Sequence, residues 1–296
     1  MLSQLRQMIE IIEKSSPIHA KKIHKHLRYF DESFDLVFND MINKFMLYLS
    51  DNSYDLHFAT MCYLRMISDL TFEQINYLKN GCYSNSSFME VKKRIYDNEE
   101  KLESFKMGLF ISEILWPQHF LVFFEFIKLF NHYGKKSGKI IDIGGAHGQY
   151  LNYVITNGNI EKPVLCYTNP VSLDMVNWFV PQSNYTMIEE DMVPEHAKQY
   201  DWVVMGEILE HTENPGKYIE YSIRLLRNGG FLFITAPINS PALDHVYCFK
   251  SKEEVLSLFE DKGLVIVNEF QVFAEESQNH KIGASSIFSV LFTIND

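Results

Sequence analysis

The first 110 residues show a helical pattern of apolar and polar positions. Apolar side chains recur every three or four residues, as in amphipathic helices that turn one face toward a core. These positions are Leu5, Met8, Ile9, Ile12, Phe34, Val37, Phe38, Met41, Ile42, Phe45, Met61, Leu64 and Ile67. The segment Thr71–Gln74 matches a capping box and predicts the start of a short helix. We therefore predict an all-helical domain over residues 1–110.

From Lys139 onward, short apolar runs alternate with helical segments. The predicted strands are Lys139–Ile143, Val164–Tyr167, Tyr185–Glu189, Tyr200–Met205, Gly230–Ala236, Leu264–Phe270 and Ile287–Thr293. The predicted helices are Gln149–Thr156, Ser172–Phe179, Ile208–His211, Pro215–Leu226 and Lys252–Asp261. Before them, Pro117 predicts the first turn of a linking helix, Gln118–Phe130. This alternation is typical of a doubly wound α/β sheet, which we predict over residues 111–296.

A glycine-rich turn follows the first predicted strand, in the segment KIIDIGGAHGQY. The apolar run ends at Asp142, and Gly144, Gly145 and Gly148 follow before a helix. Without a β-carbon, glycine lets backbone N–H groups approach an adenosine-type ligand closely. The turn predicts a nucleotide-type binding loop, although glycine-rich turns also close many ordinary strands.

Composition and charge narrow the choice of partners. The 296-residue chain has 27 Lys and Arg against 38 Asp and Glu, which gives a formal net charge of −11. Because an acidic surface repels phosphate backbones and anionic membranes, we expect neither nucleic acid nor membrane as a partner. The four cysteines, Cys62, Cys82, Cys166 and Cys248, lack metal or disulfide spacing, which favours reduced thiols and a cytoplasmic location.

Two later segments accompany the glycine turn, YDWVVMGEILEHTENP from Tyr200 and LLRNGGFLFITAP from Leu225. In this order and spacing, the three segments resemble the class I S-adenosylmethionine-dependent methyltransferases over residues 112–296. The resemblance implies a Rossmann-like seven-stranded sheet behind an N-terminal helical domain. A dinucleotide-binding dehydrogenase is the alternative, but the acidic residue it needs about 20 residues after the turn is missing.

The resemblance also implies which residues contact the methyl donor, S-adenosylmethionine. They are Asp142, Gly144, Gly145, Gly148, Thr168, Asn169, Asp191, Met192 and Gly206. Thr168 or Asn169 stands where the family usually has an acidic residue for the ribose hydroxyls. Asp191 and Met192 would contact the adenine.

Glu207, Glu210 and His211 have the spacing of ligands on one side of a helical turn. Two carboxylates and an imidazole can form part of a divalent metal site, which Mg²⁺ would accept but Mn²⁺, Fe²⁺, Co²⁺ or Zn²⁺ would suit better. A fourth ligand is expected from beyond the fifth strand, where His245 precedes a helix. The spacing therefore predicts a metal site.

This ligand set resembles that of two methyltransferase families. One comprises the small-RNA 3′-terminal 2′-O-methyltransferases and the other the ubiquinone-biosynthesis O-methyltransferases. The resemblance implies that Glu207, Glu210, His211 and His245 bind a metal, and we expect Glu207, His211 and His245 to be catalytic. A bound cation lowers the pKa of a coordinated hydroxyl and fixes its oxygen for methyl transfer.

We thus expect an O-methyltransferase acting on a small molecule with adjacent oxygens, such as a catechol, diol or hydroxy acid. One alternative is a metal-free methyltransferase on oxygen, nitrogen, carbon or carboxylate, with His211 as general base. Another is a non-catalytic cofactor-binding protein. The helical domain would cover the cleft or form a homodimer interface, and the sequence does not separate these roles. His119, on the linking helix, would either touch the site or pack between the two regions.

Overall fold

The computed structural model describes residues 2–134, 138–145, 147–158, 160, 163–167, 170–189, 198–275 and 283–294. Its N-terminal region is helical, as predicted. The helices are α1 (Ser3–Ser15), α2 (Pro17–His26), α3 (Glu32–Asp51), α4 (Leu56–Asn80), α5 (Phe88–Val91), α6 (Glu99–Leu115) and α7 (Pro117–Tyr133). Asp31, Asp55 and Asn98 cap α3, α4 and α6 by accepting hydrogen bonds from backbone N–H groups of the first turn.

The predicted helix start at Thr71 is wrong, because α4 runs unbroken through this position. The Thr71 hydroxyl donates to the Ile67 carbonyl oxygen one turn earlier, 2.8 Å away, so it does not act as a cap. Glu73 is buried and pairs with Arg94 instead of closing a capping box. A side chain with a tertiary partner has thus replaced the local interaction that the sequence pattern indicates.

Pro117 begins α7, as predicted, and the chain bends by 68° between α6 and α7. Among the described helices, none alone is long and apolar enough to cross a membrane; α6 and α7 reach that composition only together, across the bend. Both helices are largely buried, and α7 packs on the sheet through Phe126 and Phe130, which contact Trp202 in β4 and Phe233 in β5.

All seven predicted strands are present, within a few residues of the predicted ends. They are β1 (Ile140–Ile143), β2 (Val164–Tyr167), β3 (Thr186–Glu189), β4 (Tyr200–Gly206), β5 (Leu226–Ile238), β6 (Leu264–Phe273) and β7 (Ser286–Ile294). The sheet order is β3-β2-β1-β4-β5-β7-β6. Strands β1 to β5 pair in parallel, and β7 pairs antiparallel with both β5 and β6.

The remaining helices are α8 (Gln149–Asn157), α9 (Pro170–Asn177), α10 (Pro215–Leu225) and α11 (Lys252–Ser257). One apolar core extends from Leu5 in α1 to Leu291 in β7, so the N-terminal helices and one sheet face share it. Alternate strand residues such as Ile141 and Val203 face a second core on the other side. This arrangement places the helical region above the carboxyl ends of β1, β4 and β5.

Candidate active site

A cleft of about 1300 Å³ lies between the helical region and the carboxyl ends of β4 and β5. Its sheet side is lined by Gly206, Glu207, Glu210, His211, Asp244 and His245. Its helical side includes apolar residues of α4, α6 and α7, among them Met66, Ile67, Leu70, Ile75, Leu78, Leu109 and Leu121. The cleft therefore combines a polar floor with apolar walls.

The glycine turn has the backbone conformation that its sequence predicts. Gly144, Gly145 and Gly148 have φ angles of +94°, +74° and +70°, a region that side-chain-bearing residues seldom adopt. A β-carbon on Gly144 would lie 2.8 Å from Ile208, and one on Gly145 would lie 2.6 Å from Leu165. The tight turn thus leaves its backbone close to the end of β4.

Asp142, on β1 just before the glycine turn, is a buried carboxylate. It is 2% exposed, and neither of its oxygens has a hydrogen-bond partner among the described residues. Burial raises the pKa of Asp142 to about 7. Gly206 ends β4 nearby, and a β-carbon there would overlap the buried ring of Tyr150. Of the other predicted donor contacts, Thr168, Asn169, Asp191 and Met192 lie outside the described residues.

The predicted α-helical turn carrying Glu207, Glu210 and His211 is wrong in its geometry. Glu207 has a φ of +48°, and the turn that follows, Leu209–His211, is a 3₁₀ helix. The backbone N–H of Glu207 donates to the Thr235 hydroxyl, 2.8 Å away. Because the left-handed residue redirects the chain, the three side chains do not share the expected face.

The structure brings three of the four predicted metal ligands together. One ligand atom from each of Glu210, His211 and His245 lies within 4.8 Å of the others. The rings of His211 and His245 are 5.2 Å apart and nearly perpendicular. Glu207 is not part of this triad. Its Oε1 instead lies 3.6 Å from Nδ1 of His119, which therefore faces the site.

Hydrogen bonds orient both imidazoles of the triad. Nδ1 of His211 donates to the Asp244 carbonyl oxygen at 3.0 Å, and Nδ1 of His245 donates to the Ser240 carbonyl oxygen at 2.8 Å. A neutral ring that donates from Nδ1 keeps a lone pair on Nε2. Both rings therefore have the tautomer that a metal ligand needs, fixed by backbone acceptors.

Glu210 completes the triad with a carboxylate that lacks a neutralising partner. It is fully buried, and no other described residue donates a hydrogen bond to either oxygen. Burial and the nearby Glu207 raise the pKa of Glu210 well above its usual range. Burial likewise raises the pKa of Glu207 to about 8 and lowers that of His245 to about 4. The site therefore favours the neutral forms of these side chains unless a cation binds there and stabilises the ionised carboxylates.

The helical region holds the loop that carries His245. Asn85 donates from Nδ2 to the carbonyl oxygens of Leu243, at 2.8 Å, and His245, at 3.2 Å. The Tyr83 hydroxyl accepts a hydrogen bond from the Ser240 N–H at 3.1 Å, and its ring packs against His245. We call Tyr83 and Asn85 the helical clamp. They hold the backbone of this loop at Ser240, Leu243 and His245, the last of which is a predicted ligand.

Sequence reasoning missed a second polar link between the two regions. His147, inside the glycine turn, is fully buried, with Nδ1 at 2.9 Å from Oε1 of Glu113 in α6. Its Nε2 donates to the Lys106 carbonyl oxygen at 3.1 Å. The other oxygen of Glu113 is buried and lacks a partner among the described residues. No local spacing connects these residues, because only the packing of α6 on the turn brings them together.

The residues present fit both a divalent metal and a cationic nucleotide-type donor. For the metal, the fit rests on Glu210, whose unpartnered carboxylate lies beside two imidazoles with free Nε2 lone pairs. For the donor, it rests on the glycine turn, on the unpartnered carboxylate of Asp142 and on the free Oε2 of Glu113. Buried carboxylates of this kind are stabilised by positive charge on a ligand.

Comparison with known proteins identifies a methyltransferase family. A family described as a methyltransferase domain matches residues 116–269, slightly more than half of the chain. A ubiquinone biosynthesis O-methyltransferase of Hydrogenovibrio crunogenus is 28% identical over 141 residues, 45% of this chain and 56% of that protein. One of Marinobacter nauticus is 37% identical over 65 residues, 22% of this chain and 27% of that protein. The matches thus span about half of the first relative and about a quarter of the second.

Among solved structures, the N-methyltransferase NodS of Bradyrhizobium japonicum, in complex with S-adenosyl-L-homocysteine, has a similar fold. The TM-score is 0.50 at 12% sequence identity, and the match covers 72% of this chain and all of NodS. At this identity the likeness concerns the fold alone. It agrees with the Rossmann-like sheet expected from the sequence.

Proposed function

Because the chain belongs to the methyltransferase-domain family, we propose that it transfers a methyl group from S-adenosylmethionine to an oxygen of a small molecule, assisted by a divalent metal. The donor would lie along the glycine turn, near Asp142 and Gly206. The predicted contacts Thr168, Asn169, Asp191 and Met192 would hold its adenosine. Glu210, His211 and His245 would hold the metal.

The single observation that carries the metal is the environment of Glu210. A fully buried carboxylate without a hydrogen-bond donor lowers the stability of the fold. A metal ion held by Glu210 and the two oriented imidazoles beside it would compensate for this loss. A divalent cation held there would lower the pKa of an acceptor hydroxyl, so that the nucleophilic oxygen forms near neutral pH. Mixed carboxylate and imidazole ligands suit Mn²⁺, Fe²⁺, Co²⁺ or Zn²⁺.

Other residues of the chain orient the metal ligands and shield the cleft from water. Asp244 and Ser240 fix the imidazole tautomers through their carbonyl oxygens. The apolar residues of α4 and α7 exclude water from the acceptor and strengthen the electrostatic interactions at the floor of the cleft. Glu207 lines the cleft beside His119, where it can contact the acceptor or the donor rather than the metal.

The cleft favours an apolar or aromatic acceptor that carries adjacent oxygens. Its helical wall is rich in Leu, Ile and Met, including Leu78, which is 74% exposed. The two curated relatives are named as ubiquinone biosynthesis O-methyltransferases, which supports an oxygen acceptor of aromatic type. The net charge of −11 argues against RNA.

Metal analysis tests the proposal most directly. The wild-type chain, loaded with Mn²⁺ and desalted, is expected to retain about one ion per chain. Glu210→Gln and His245→Ala should retain almost none, and methyl transfer to a catechol should fall by about 100-fold or more. His132→Ala is the matched control, since His132 is an exposed histidine in the last turn of α7.

A metal-free reaction is the second candidate, and one observation favours it. Nδ1 of His211 lies close to both the carbonyl and the carboxylate of Asp244, an arrangement that also orients a general base. Equal metal content and equal turnover in the wild type and both variants, with EDTA-insensitive activity, would establish this candidate instead. Lack of S-adenosylhomocysteine binding by the wild type would point to a protein outside both enzyme classes.

A further inference from the structure

We infer that Glu113 binds the α-ammonium group of the methyl donor's amino-acid moiety and that His147 is its positioning residue. The inference rests on the proposed function, since it requires that S-adenosylmethionine lies along the glycine turn. It assigns to the helical region a part of the donor site itself.

Glu113 has the geometry of a prepared acceptor. It is 4% exposed and belongs to the cleft lining together with Gln149, Tyr150 and Gly206. Its Oε1 is held at 2.9 Å by Nδ1 of His147, while Oε2 has no partner among the described residues. Because His147 fixes one oxygen of the carboxylate, a ligand can donate a hydrogen bond to the other oxygen, Oε2.

The imidazole of His147 occupies Oε1, and no Lys or Arg in the described part of the chain pairs with Oε2. Lys106, two turns earlier on α6, pairs with Glu103 and Asp174 instead. Glu113 also lies outside the metal triad of Glu210, His211 and His245. The free oxygen therefore calls for a hydrogen-bond donor brought by a ligand.

Among the polar groups of S-adenosylmethionine, the α-ammonium group fits this oxygen. The sulfonium has no N–H or O–H to donate. The predicted adenosine contacts follow β2 and β3 in the sequence, and these two strands lie on the far side of β1 from β4. The amino-acid end of the donor would therefore lie beside Gly206. The charge of Glu113 contributes to the raised pKa values of Tyr150 and Glu207, which line this part of the cleft. An ammonium–carboxylate hydrogen bond in a buried site is among the stronger polar interactions.

His147 couples this contact to the glycine turn. Because the Lys106 carbonyl only accepts, Nε2 of His147 carries a proton and the ring is held between two residues of α6. The glycine turn that would bind the donor therefore also orients the Glu113 carboxylate through His147. The α6 helix contributes to donor binding only when it is docked on the turn.

Calorimetry with two ligands tests the inference. S-adenosylhomocysteine carries the α-ammonium group, and 5′-methylthioadenosine lacks the amino-acid moiety. Glu113→Gln is expected to weaken S-adenosylhomocysteine binding by about 10-fold or more while changing 5′-methylthioadenosine binding by less than about twofold. Glu100→Gln, an exposed change on the same helix, should alter neither affinity.

His147→Gln should weaken S-adenosylhomocysteine selectively in the wild-type background and have no further selective effect in the Glu113→Gln background. If Glu113→Gln weakens both ligands equally, or neither, the inference is overturned while donor binding by the wild type still supports the proposed function. If the wild type binds 5′-methylthioadenosine but not S-adenosylhomocysteine, or binds neither, the inference and the donor assignment both fail.

Discussion

The two halves of the cleft floor are prepared for their ligands in opposite ways. At the metal triad, His211 and His245 donate to the carbonyl oxygens of Asp244 and Ser240, and the helical clamp holds the loop that carries His245. Around the glycine turn, the shape comes from residues that lack a β-carbon, beside the unpartnered carboxylate of Asp142. The two imidazoles of the metal half are thus oriented before binding, next to the unpartnered Glu210, whereas the donor half is shaped mainly by its backbone.

This difference has a physical consequence. Orienting the imidazoles through backbone acceptors costs little stability, because both rings and both carbonyl oxygens are satisfied. Leaving Asp142 in the donor half and Glu210 in the metal half without hydrogen-bond donors is costly, because buried carboxylates lose their hydration. We therefore expect a buried carboxylate in each half to lower the stability of the ligand-free protein as pH rises, and a cationic ligand to restore it.

Among the variants that test this comparison, we expect Asp142→Asn to change the unfolding free energy most. Burial raises the pKa of Asp142 to about 7, far above its value in an unfolded chain. Between these two pKa values the unfolded state ionises while the native state stays protonated, so native stability falls as pH rises and the loss is complete above about pH 7. The variant lacks this loss.

The gain in unfolding free energy of Asp142→Asn over the wild type should grow by about 2 to 3 kcal/mol between pH 5 and pH 8. Urea unfolding of the ligand-free protein measures it. Asp69→Asn, an exposed change on α4, is the control and should show no such growth. If the difference in unfolding free energy stays constant across this range, Asp142 is solvated or paired, which contradicts its description as a buried carboxylate without a partner.

Gly206→Ala tests the role of shape in the donor half. The added methyl group would overlap the Tyr150 ring, which is packed among Phe123, Phe126 and Phe233 and has no room to move. We expect a loss of about 1–3 kcal/mol in unfolding free energy, together with weaker S-adenosylhomocysteine binding in calorimetry. Gly216→Ala in α10, where a β-carbon meets no closer atom than 3.4 Å, should be neutral or slightly stabilising. Unchanged affinity at Gly206 would place the donor elsewhere.

The smallest effect is expected in the metal half, from Asn85→Ala. This change removes two hydrogen bonds to the loop of His245 without touching the triad. Metal affinity should fall by about tenfold, as is usual when a group that supports a ligand is lost. Titration with Mn²⁺ or Co²⁺ measures it, and Asn52→Ala, whose side chain bonds only the exposed Tyr48 carbonyl, is the control. Equal affinities would show that the triad does not depend on the helical clamp.

The strands and the glycine turn could be predicted because their causes are local. Short apolar runs such as Ile140–Ile143 are typical of strands covered on both faces. Gly144, Gly145 and Gly148 directly after such a run predict a glycine-rich turn, which the structure shows with positive φ at all three. His245 entered the predicted metal site through position after the fifth strand and family resemblance. The structure places it next to Glu210 and His211.

The failures have non-local causes. The spacing of Glu207 and Glu210 predicts one side of a helical turn, but the left-handed backbone at Glu207 and a 3₁₀ turn break that relation. Glu113 and His119 belong to helices whose own patterns show only burial, and Asn85 lies in the loop before α5. Their roles depend on how α6, α7 and the loop before α5 dock on the sheet, which no periodicity reports.

The helical clamp also bears on how such a chain can be recombined. Tyr83 and Asn85 come from the N-terminal region, yet they hold the backbone of a loop about 160 positions later. A hybrid that joins this methyltransferase sheet to a foreign helical partner would keep every triad residue and still lose the support of the His245 loop. The two regions would have to be exchanged as one unit, and acceptor preference would travel with both.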